Sequence, residues 1–154
     1  MIEAVFRTGQ GRSVRMSERA FWRRYGRVEH ERLEFKASAR NLGESVVAMA
    51  MTRGGTILVG VGDDGRVRGC RADQETLDRV ATLADEVQVD VRVSRLAVGG
   101  ATVLSLAVPA VAPRVVTTPD GRLLRRVGGS NRPVRGDAVL RFLREHGAAC
   151  DPVG

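Results

Sequence analysis

Residues 54–65 read GGTILVGVGDDG, and this stretch decides the fold. The run from Thr56 to Val61 is continuously apolar, which is typical of a central strand that is buried on both faces. Gly54-Gly55 ends the helix that precedes it, and Asp64-Gly65 is the signal of a tight hairpin turn. We therefore expect a helix, a buried strand and a turn in this order.

The residues before this stretch predict a helix and a second strand. Ser17 can cap a basic amphipathic helix that ends near Gly26. Apolar and polar residues then alternate from 32 to 38, as in a half-buried strand. That alternation places Glu34 and Lys36 on the same face of the strand.

The remaining elements complete an α+β pattern. Asn41, followed by Glu44, resembles a capping box at the start of a buried helix. After the hairpin turn we expect a short return strand and then a helix that Asp73 caps. Gly99-Gly100 joins two further strands, and Asp137 caps a last helix. The further strands are expected at 89–98, 102–108 and 122–127. This order predicts a single α+β domain with one mixed sheet covered by helices.

Length and composition indicate one soluble domain. The chain has 154 residues, 43% hydrophobic and 28% charged, so we expect a domain at 15–147 between an N-terminal segment, 1–14, and a tail, 148–154. No apolar run approaches the roughly 20 residues of a membrane span. The N-terminus lacks a signal-peptide core, and Cys70 and Cys150 make no disulfide framework, so we expect a cytoplasmic protein.

Positive charge is concentrated at the two ends of the chain. The net charge is +7, with ten basic and five acidic residues in 1–40, seven and nine in 41–113, and eight and four in 114–154. Arginine grips phosphate bidentately, which favours a nucleic-acid partner; the alternative is a solvated basic surface. The candidate nucleic-acid-binding arginines are Arg23, Arg24, Arg27, Arg122, Arg125, Arg126, Arg132 and Arg135.

Lys36 is the one lysine among 25 basic residues. The pKa of a compact lysine ammonium can shift, whereas arginine stays charged, so a chemical role is indicated for Lys36. The alternative is that one lysine has been retained by chance. Glu29, Glu34 and Asp63 supply the carboxylates of a metal-assisted hydrolytic site, in which Mg²⁺ or Mn²⁺ would be held by these three and Lys36 would steady the attacking hydroxide.

The proposed carboxylate site imposes a condition on the backbone. The spacing of Glu29 and Glu34 would put them on opposite faces of a regular strand, so Glu29 must lie on the turn before it. Asp63 requires the central strand to end or bulge before it. The alternative for Glu34 and Lys36 is a solvent-facing ion pair on an edge strand.

Other motifs limit the ligands. The segment 128–131 is either a loop whose N–H groups and Ser130 meet a phosphate or a simple turn. His30 and His146, like the two cysteines, lack the paired spacing of a zinc site, so no zinc is predicted. We interpret His146 as a helix-end residue favoured by the dipole. There is no P-loop, and ATP binding is not expected.

Several segments in a fixed order carry a family resemblance: Glu29 with residues 34–36, residues 48–55, residues 60–65 with Gly69, Val108-Pro109, and residues 126–133. Together they resemble the AlbA-type (AlbA_2) DNA-binding domain of Schlafen proteins and many bacterial regulators. The resemblance implies a compact α/β domain that binds nucleic acid and, in animal Schlafens, a metal-dependent cut in structured RNA by three carboxylates. By motif position these are Glu29, Glu34 and, in preference to Asp64, Asp63.

Two residues depart from the family pattern. Met51 stands where asparagine is usual and Gly62 where an acidic residue is common, so this region is tuned differently or has lost activity. Animal Schlafens pair two such lobes, which suggests a homodimer here. Three functions stay open, in order of preference: a module that binds DNA or RNA, a metal-dependent endoribonuclease, and a dimerising interaction domain without a nucleic-acid role.

Overall fold

The computed structural model describes residues 13–148, which form a sheet with helices on both of its faces. The strands are β1 (Ser13–Met16), β2 (Leu33–Lys36), β3 (Gly55–Val59), β4 (Arg92–Val98), β5 (Ala101–Val108), β6 (Leu124–Val127) and β7 (Ser130–Pro133). The helices are α1 (Glu18–Tyr25), α2 (Gly43–Ala50), α3 (Gln74–Val87) and α4 (Ala138–Ala148). This architecture confirms the predicted α+β domain with a mixed sheet.

The main sheet has five strands in the order β1-β4-β5-β3-β2. β1 pairs with β4 and β2 with β3 in parallel, while β3–β5 and β4–β5 are antiparallel. In β3, the side chains of Ile57, Leu58 and Val59 are fully buried, because helices cover both faces of the sheet. The predicted doubly buried strand is therefore confirmed.

Helix α1 covers one face of the sheet and α2, α3 and α4 contribute to the core on the other. As predicted, Ser17 caps α1: its Oγ accepts the N–H of Ala20 at 3.1 Å. Trp22 on α1 packs edge-on against Phe35 on β2, with ring centroids 5.7 Å apart. None of the described helices is both long and apolar enough to cross a bilayer.

Two local predictions before and after β3 were wrong in part. Asn41 does not cap α2: it has a left-handed φ of +56°, which asparagine tolerates, and Leu42 takes the N-cap position without a side-chain hydrogen bond. The turn after β3 forms, with the Gly65 N–H donating to the carbonyl of Gly62 at 3.0 Å. The expected return strand is reduced to a single bridge at Val67.

The strand expected at 122–127 does not join the main sheet. β6 and β7 form a separate antiparallel hairpin that packs over α2. The segment 128–131 thus contains its two-residue turn, with Gly128 at φ +55°, the conformation that glycine supplies in tight hairpins. The first strand begins at Ser13, within the predicted N-terminal segment, because it pairs with β4; neither β1 nor β7 was predicted.

A buried arginine fastens the hairpin to the edge strand β2. The Arg126 side chain is fully buried, and its Nη1 donates to Glu34 Oε1 at 2.9 Å. Its Nη2 donates to the carbonyl oxygens of His30 and Leu33 at 3.2 and 3.1 Å. One guanidinium therefore donates to one oxygen of a buried carboxylate and to two backbone carbonyls at the start of β2.

Neighbouring polar groups extend this connection to α2. Arg126 Nη1 also donates to Asn131 Oδ1 at 2.8 Å, and Asn131 Nδ2 donates to the buried Ser45 Oγ at 3.0 Å. The Arg126 backbone N–H donates to Thr52 Oγ1, just after α2, at 2.8 Å. The hairpin is thus held to α2 and β2 by a mostly buried polar network.

Removing the Arg126 side chain tests this network. Arg126→Met is expected to lower the free energy of unfolding by about 3–5 kcal/mol, because Glu34 would keep a buried charge without its partner. Urea unfolding followed by circular dichroism measures the change. Arg125→Met, next to it on the exposed face, is the matched control and should change stability little. The double variant Arg126→Met with Glu34→Leu should recover part of the loss; a single variant as stable as the native protein would contradict this account.

Candidate functional site

A chain reversal before β2 brings Glu29 back beside Glu34. His30 and Leu33 form an antiparallel bridge, with N–H to carbonyl distances of 3.1 Å in both directions, across a turn at 31–32. Continuing this register places Glu29 opposite Glu34, so the two carboxylates can converge as the proposed site requires. Glu29 thus lies before the turn rather than on a straight continuation of β2.

The pKa of Glu29 depends on its burial and on the charges around it. Burial raises the pKa of Glu29 above its ordinary value, and the negative charges of Glu34 and Asp63 raise it further. The backbone of Phe35 and the Arg126 guanidinium lower this pKa but do not cancel the increase. The charges of Glu34 and Asp63 are therefore both near enough to act on the Glu29 carboxylate.

Glu34 is the buried member of this carboxylate cluster, which we define as Glu29, Glu34 and Asp63. Only 7% of Glu34 is exposed, and its Oε2 lies 3.9 Å from Lys36 Nζ. That oxygen is buried and has no hydrogen-bond partner among the described residues. Lys36 is partly exposed whereas Glu34 is buried, so only the lysine end of this ion pair faces solvent.

The two aspartates after β3 differ in their partners. Asp64 Oδ2 accepts a hydrogen bond from Arg68 Nη2 at 2.7 Å, whereas Asp63 is exposed and forms no ion pair within the described part of the chain. A Cβ added at Gly62 would lie 2.7 Å from Asp64 Oδ1 and 2.8 Å from Arg68 Nε. The Asp64–Arg68 pair thus occupies the space that a side chain at position 62 would need.

The departure at Met51 lies in the core. Met51 is buried, and its Sδ accepts the N–H of Val116 at 3.4 Å. His146, interpreted from the sequence as a helix-end residue, is buried as well, and its ring nitrogens lie within hydrogen-bond distance of the Met51 and Arg114 carbonyl oxygens. The methionine therefore serves packing between α2, α4 and the segment before β6.

The carboxylate cluster has oxygen donors suited to a hard cation, but they are not drawn together. Within residues 13–148, no three acidic, histidine or cysteine side chains lie close enough to hold a metal ion. Glu34 Oε1 is already engaged by Arg126, which leaves Oε2 and the carboxylates of Glu29 and Asp63. Their chemistry suits Mg²⁺ or Mn²⁺, while their spacing is not that of a formed site.

Exposed arginines lie on and just after α1 and on the hairpin. Arg24 and Arg27 stack over the rings of Tyr25 and Trp22, 5.1 and 5.0 Å from the centroids. The tip of the hairpin approaches the cluster, because a Cβ added at Gly129 would lie 3.5 Å from the Cβ of Glu29. Of the arginines named from the sequence as nucleic-acid contacts, those that are exposed and form no ion pair with a described residue are Arg23, Arg24, Arg27, Arg125, Arg132 and Arg135.

Three other residues that the sequence predicts as nucleic-acid contacts are not free, exposed arginines. Arg126 is fully buried and cannot reach a phosphate in this conformation. The signal available in the sequence was its position two residues after the apolar Leu124, which puts both side chains on the inward face of β6. Arg122 is paired with Glu44 at 2.8 Å and with Asp120 at 2.9 Å. Ser130 is exposed at the start of β7.

Comparison with known proteins relates this arrangement to a family. The family model described as "Schlafen, AlbA_2" matches residues 29–135, from the first carboxylate to the end of the hairpin. The crystal structure of the DIP2311 protein from Corynebacterium diphtheriae is similar, with a TM-score of 0.62 and 27% identity. That match covers 75% of this chain and 27% of that one. No curated protein matches. Because the family model covers more than half of the sequence, this chain belongs to the Schlafen AlbA_2 family.

Proposed function

We propose that this chain binds nucleic acid through the phosphate backbone of that nucleic acid, with exposed arginines of α1, of the segment after it and of the hairpin as contacts. The observation that carries the proposal is that Arg23, Arg24, Arg27, Arg125, Arg132 and Arg135 are exposed and form no ion pair with a described residue. Exposed guanidinium groups without acidic partners are available to phosphates, and binding them to a polyanion releases its counterions. Membership of the Schlafen AlbA_2 family, whose resemblance implied nucleic-acid binding, supports the same conclusion.

The composition of the surface favours contacts to phosphate over contacts to bases. Phe21, Trp22 and Phe35 are buried in the core beneath α1. These three rings are therefore occupied in packing, and the candidate contacts on the described surface are arginine forks. Contacts of this kind fix a duplex or strand in place and read little sequence. We infer a sequence-tolerant binder, of DNA or RNA.

The salt dependence of binding tests this proposal. Arg24→Gln and Arg27→Gln should each weaken binding to a short duplex of DNA or RNA and lower the slope of log K against log salt by about 0.9, if each releases one counterion. Fluorescence anisotropy at several salt concentrations measures both quantities. Arg92→Gln on β4, exposed and outside the proposed surface, is the matched control.

The third function, a dimerising interaction domain, predicts a different result. It would show no binding tighter than generic charge attraction, equal effects of all three variants, and a mass of two chains in solution. That combination would overturn the nucleic-acid proposal.

A metal-dependent endoribonuclease is the second candidate, and one observation favours it. The pKa of Glu29 is raised partly by the charges of Glu34 and Asp63, and Glu34 Oε2 is buried without a hydrogen bond. A divalent cation would offset that repulsion and would supply Lewis-acid chemistry at a phosphoryl group. These three carboxylates would hold it, and Lys36 would contribute a nearby point charge.

Adjacent aspartates offer a matched test of the nuclease. If the carboxylate cluster cuts RNA, transfer RNA should be cleaved with Mn²⁺ and spared with EDTA, and Asp63→Asn should lower the rate at least a hundredfold. Asp64→Asn makes the same charge change one residue away, at the residue paired with Arg68, and should retain most activity. Gel analysis of end-labelled RNA measures cleavage. Equal loss in both variants, or cleavage in EDTA, would remove this site from consideration.

Lys36→Arg separates a positive charge from an ammonium at the same site. A simple phosphate anchor should tolerate this change, because the charge is kept. A catalytic or closely packed ammonium should not, because the larger planar fork cannot occupy its place beside Glu34. Nucleic-acid affinity and RNA cleavage, measured in parallel on this variant, distinguish the two roles.

The raised pKa of Glu29 predicts a pH-dependent stability. The folded protein holds this proton more tightly than the unfolded chain, so stability falls as pH rises from the ordinary glutamate pKa to the raised one. Glu29→Gln should therefore be more stable than the native protein at pH 7 and lose the advantage below that window. Thermal unfolding between pH 3.5 and 7, with Glu18→Gln as a charge control, tests the sign; a destabilised variant at pH 7 would contradict it.

A further inference from the structure

A cleft separates the outer face of the β6–β7 hairpin from α4. It encloses about 320 Å³, with arginines on its walls and apolar side chains, Val134 and Phe142, at its base. The polar lining side chains are those of Arg125, Arg135, Arg141 and Glu145. A volume of this size lies at the lower end of the range of small-ligand sites.

This cleft is distinct from the carboxylate cluster. Successive residues of a strand point to opposite faces, so Arg125 and Arg126 project from the two sides of β6. Arg126 reaches Glu34 on the inner side, whereas Arg125 lines the cleft. A ligand in the cleft would therefore contact the hairpin on the face opposite to Glu34.

The charge around the cleft is unbalanced. Three arginines face one glutamate, and none of the four forms an ion pair with another described residue. Arg132 lies directly opposite Arg125 in the hairpin register, a like-charge pair that destabilises a two-stranded ribbon. A local arrangement that costs stability is expected where a ligand uses it, and the excess positive charge here suits an anion.

We propose that this cleft binds the phosphate group of a nucleotide, with arginines around the phosphate and the apolar base beneath the sugar. Arginine forks match the geometry of phosphate oxygens, and the cleft is large enough for a nucleotide unit. The nucleotide is either free or part of a nucleic-acid chain, and in the second case the inference rests on the proposed function. Arg141, on α4, is the residue that it adds to the binding surface.

Two arginines on the same helix provide the test. Adenosine 5′-monophosphate titrated into the full chain should shift amide signals around the cleft, and adenosine should shift them far less. Arg141→Gln should weaken nucleotide binding on the order of tenfold, as expected for loss of one charge-assisted hydrogen bond. Arg144→Gln, exposed on α4 but outside the cleft, should leave it unchanged.

Glu145 gives a test of opposite sign. It is the acidic side chain that lines the cleft, so Glu145→Gln should strengthen nucleotide binding severalfold, whereas a purely structural cleft would show no such gain. Binding to an oligonucleotide then distinguishes the two sources of phosphate. If Arg141→Gln weakens both ligands, the cleft holds a phosphate of the chain; if it weakens the mononucleotide alone, the cleft serves a free nucleotide.

The outcomes also separate this inference from the proposed function. No signal shift with the nucleotide, together with unchanged oligonucleotide binding in Arg141→Gln, would overturn the cleft as a phosphate site. Failure of the native chain to bind the oligonucleotide at low salt would overturn the proposed function, while nucleotide binding in the cleft would still stand.

Discussion

The buried ion pair between Arg126 and Glu34 is the interaction on which the functional surface depends. Removing these charges from water is costly, and the cost is offset only because the guanidinium also reaches Asn131 and two carbonyl oxygens. Those acceptors belong to the hairpin, to β2 and to the turn before it. The pair thereby sets the direction in which the hairpin leaves the core, and with it the placement of Gly129 beside Glu29.

Sequence reasoning succeeded for most elements whose signal was local. The apolar run of β3 and the caps of α1 and α3 were predicted, because burial and N-capping leave their mark within a few residues. The parity argument required Glu29 to lie on the turn before β2, and Glu29 lies just before that turn, opposite Glu34 in the register of the His30–Leu33 bridge. The family resemblance supplied the order of these motifs, and the charges of Glu34 and Asp63, two of the carboxylates it indicated, act on Glu29.

Sequence reasoning was incomplete where tertiary contacts decide. β7 reads Ser-Asn-Arg-Pro, a composition poor in strand formers, and it exists because Asn131 is tied to Ser45 and Arg126. Arg126 looked like its exposed neighbours because a charge count does not record which face a residue occupies. Asn41 carried a capping signal, but its backbone has a left-handed φ, and Leu42 takes the N-cap position of α2 instead. The cases of β7 and Arg126 concern partners more than three residues away in the sequence.

The two cations beside Glu34 differ in their contacts and exposure. Arg126 donates from both of its terminal nitrogens to acceptors in fixed positions, which suits a rigid guanidinium, and its side chain is buried. Lys36 stands 3.9 Å from the other carboxylate oxygen with its side chain partly exposed. Lys36 therefore keeps an exposed part beside a buried carboxylate, which Arg126 does not. A guanidinium at position 36 would place a second, larger planar group beside Glu34 and Arg126, so a compact ammonium suits this position better.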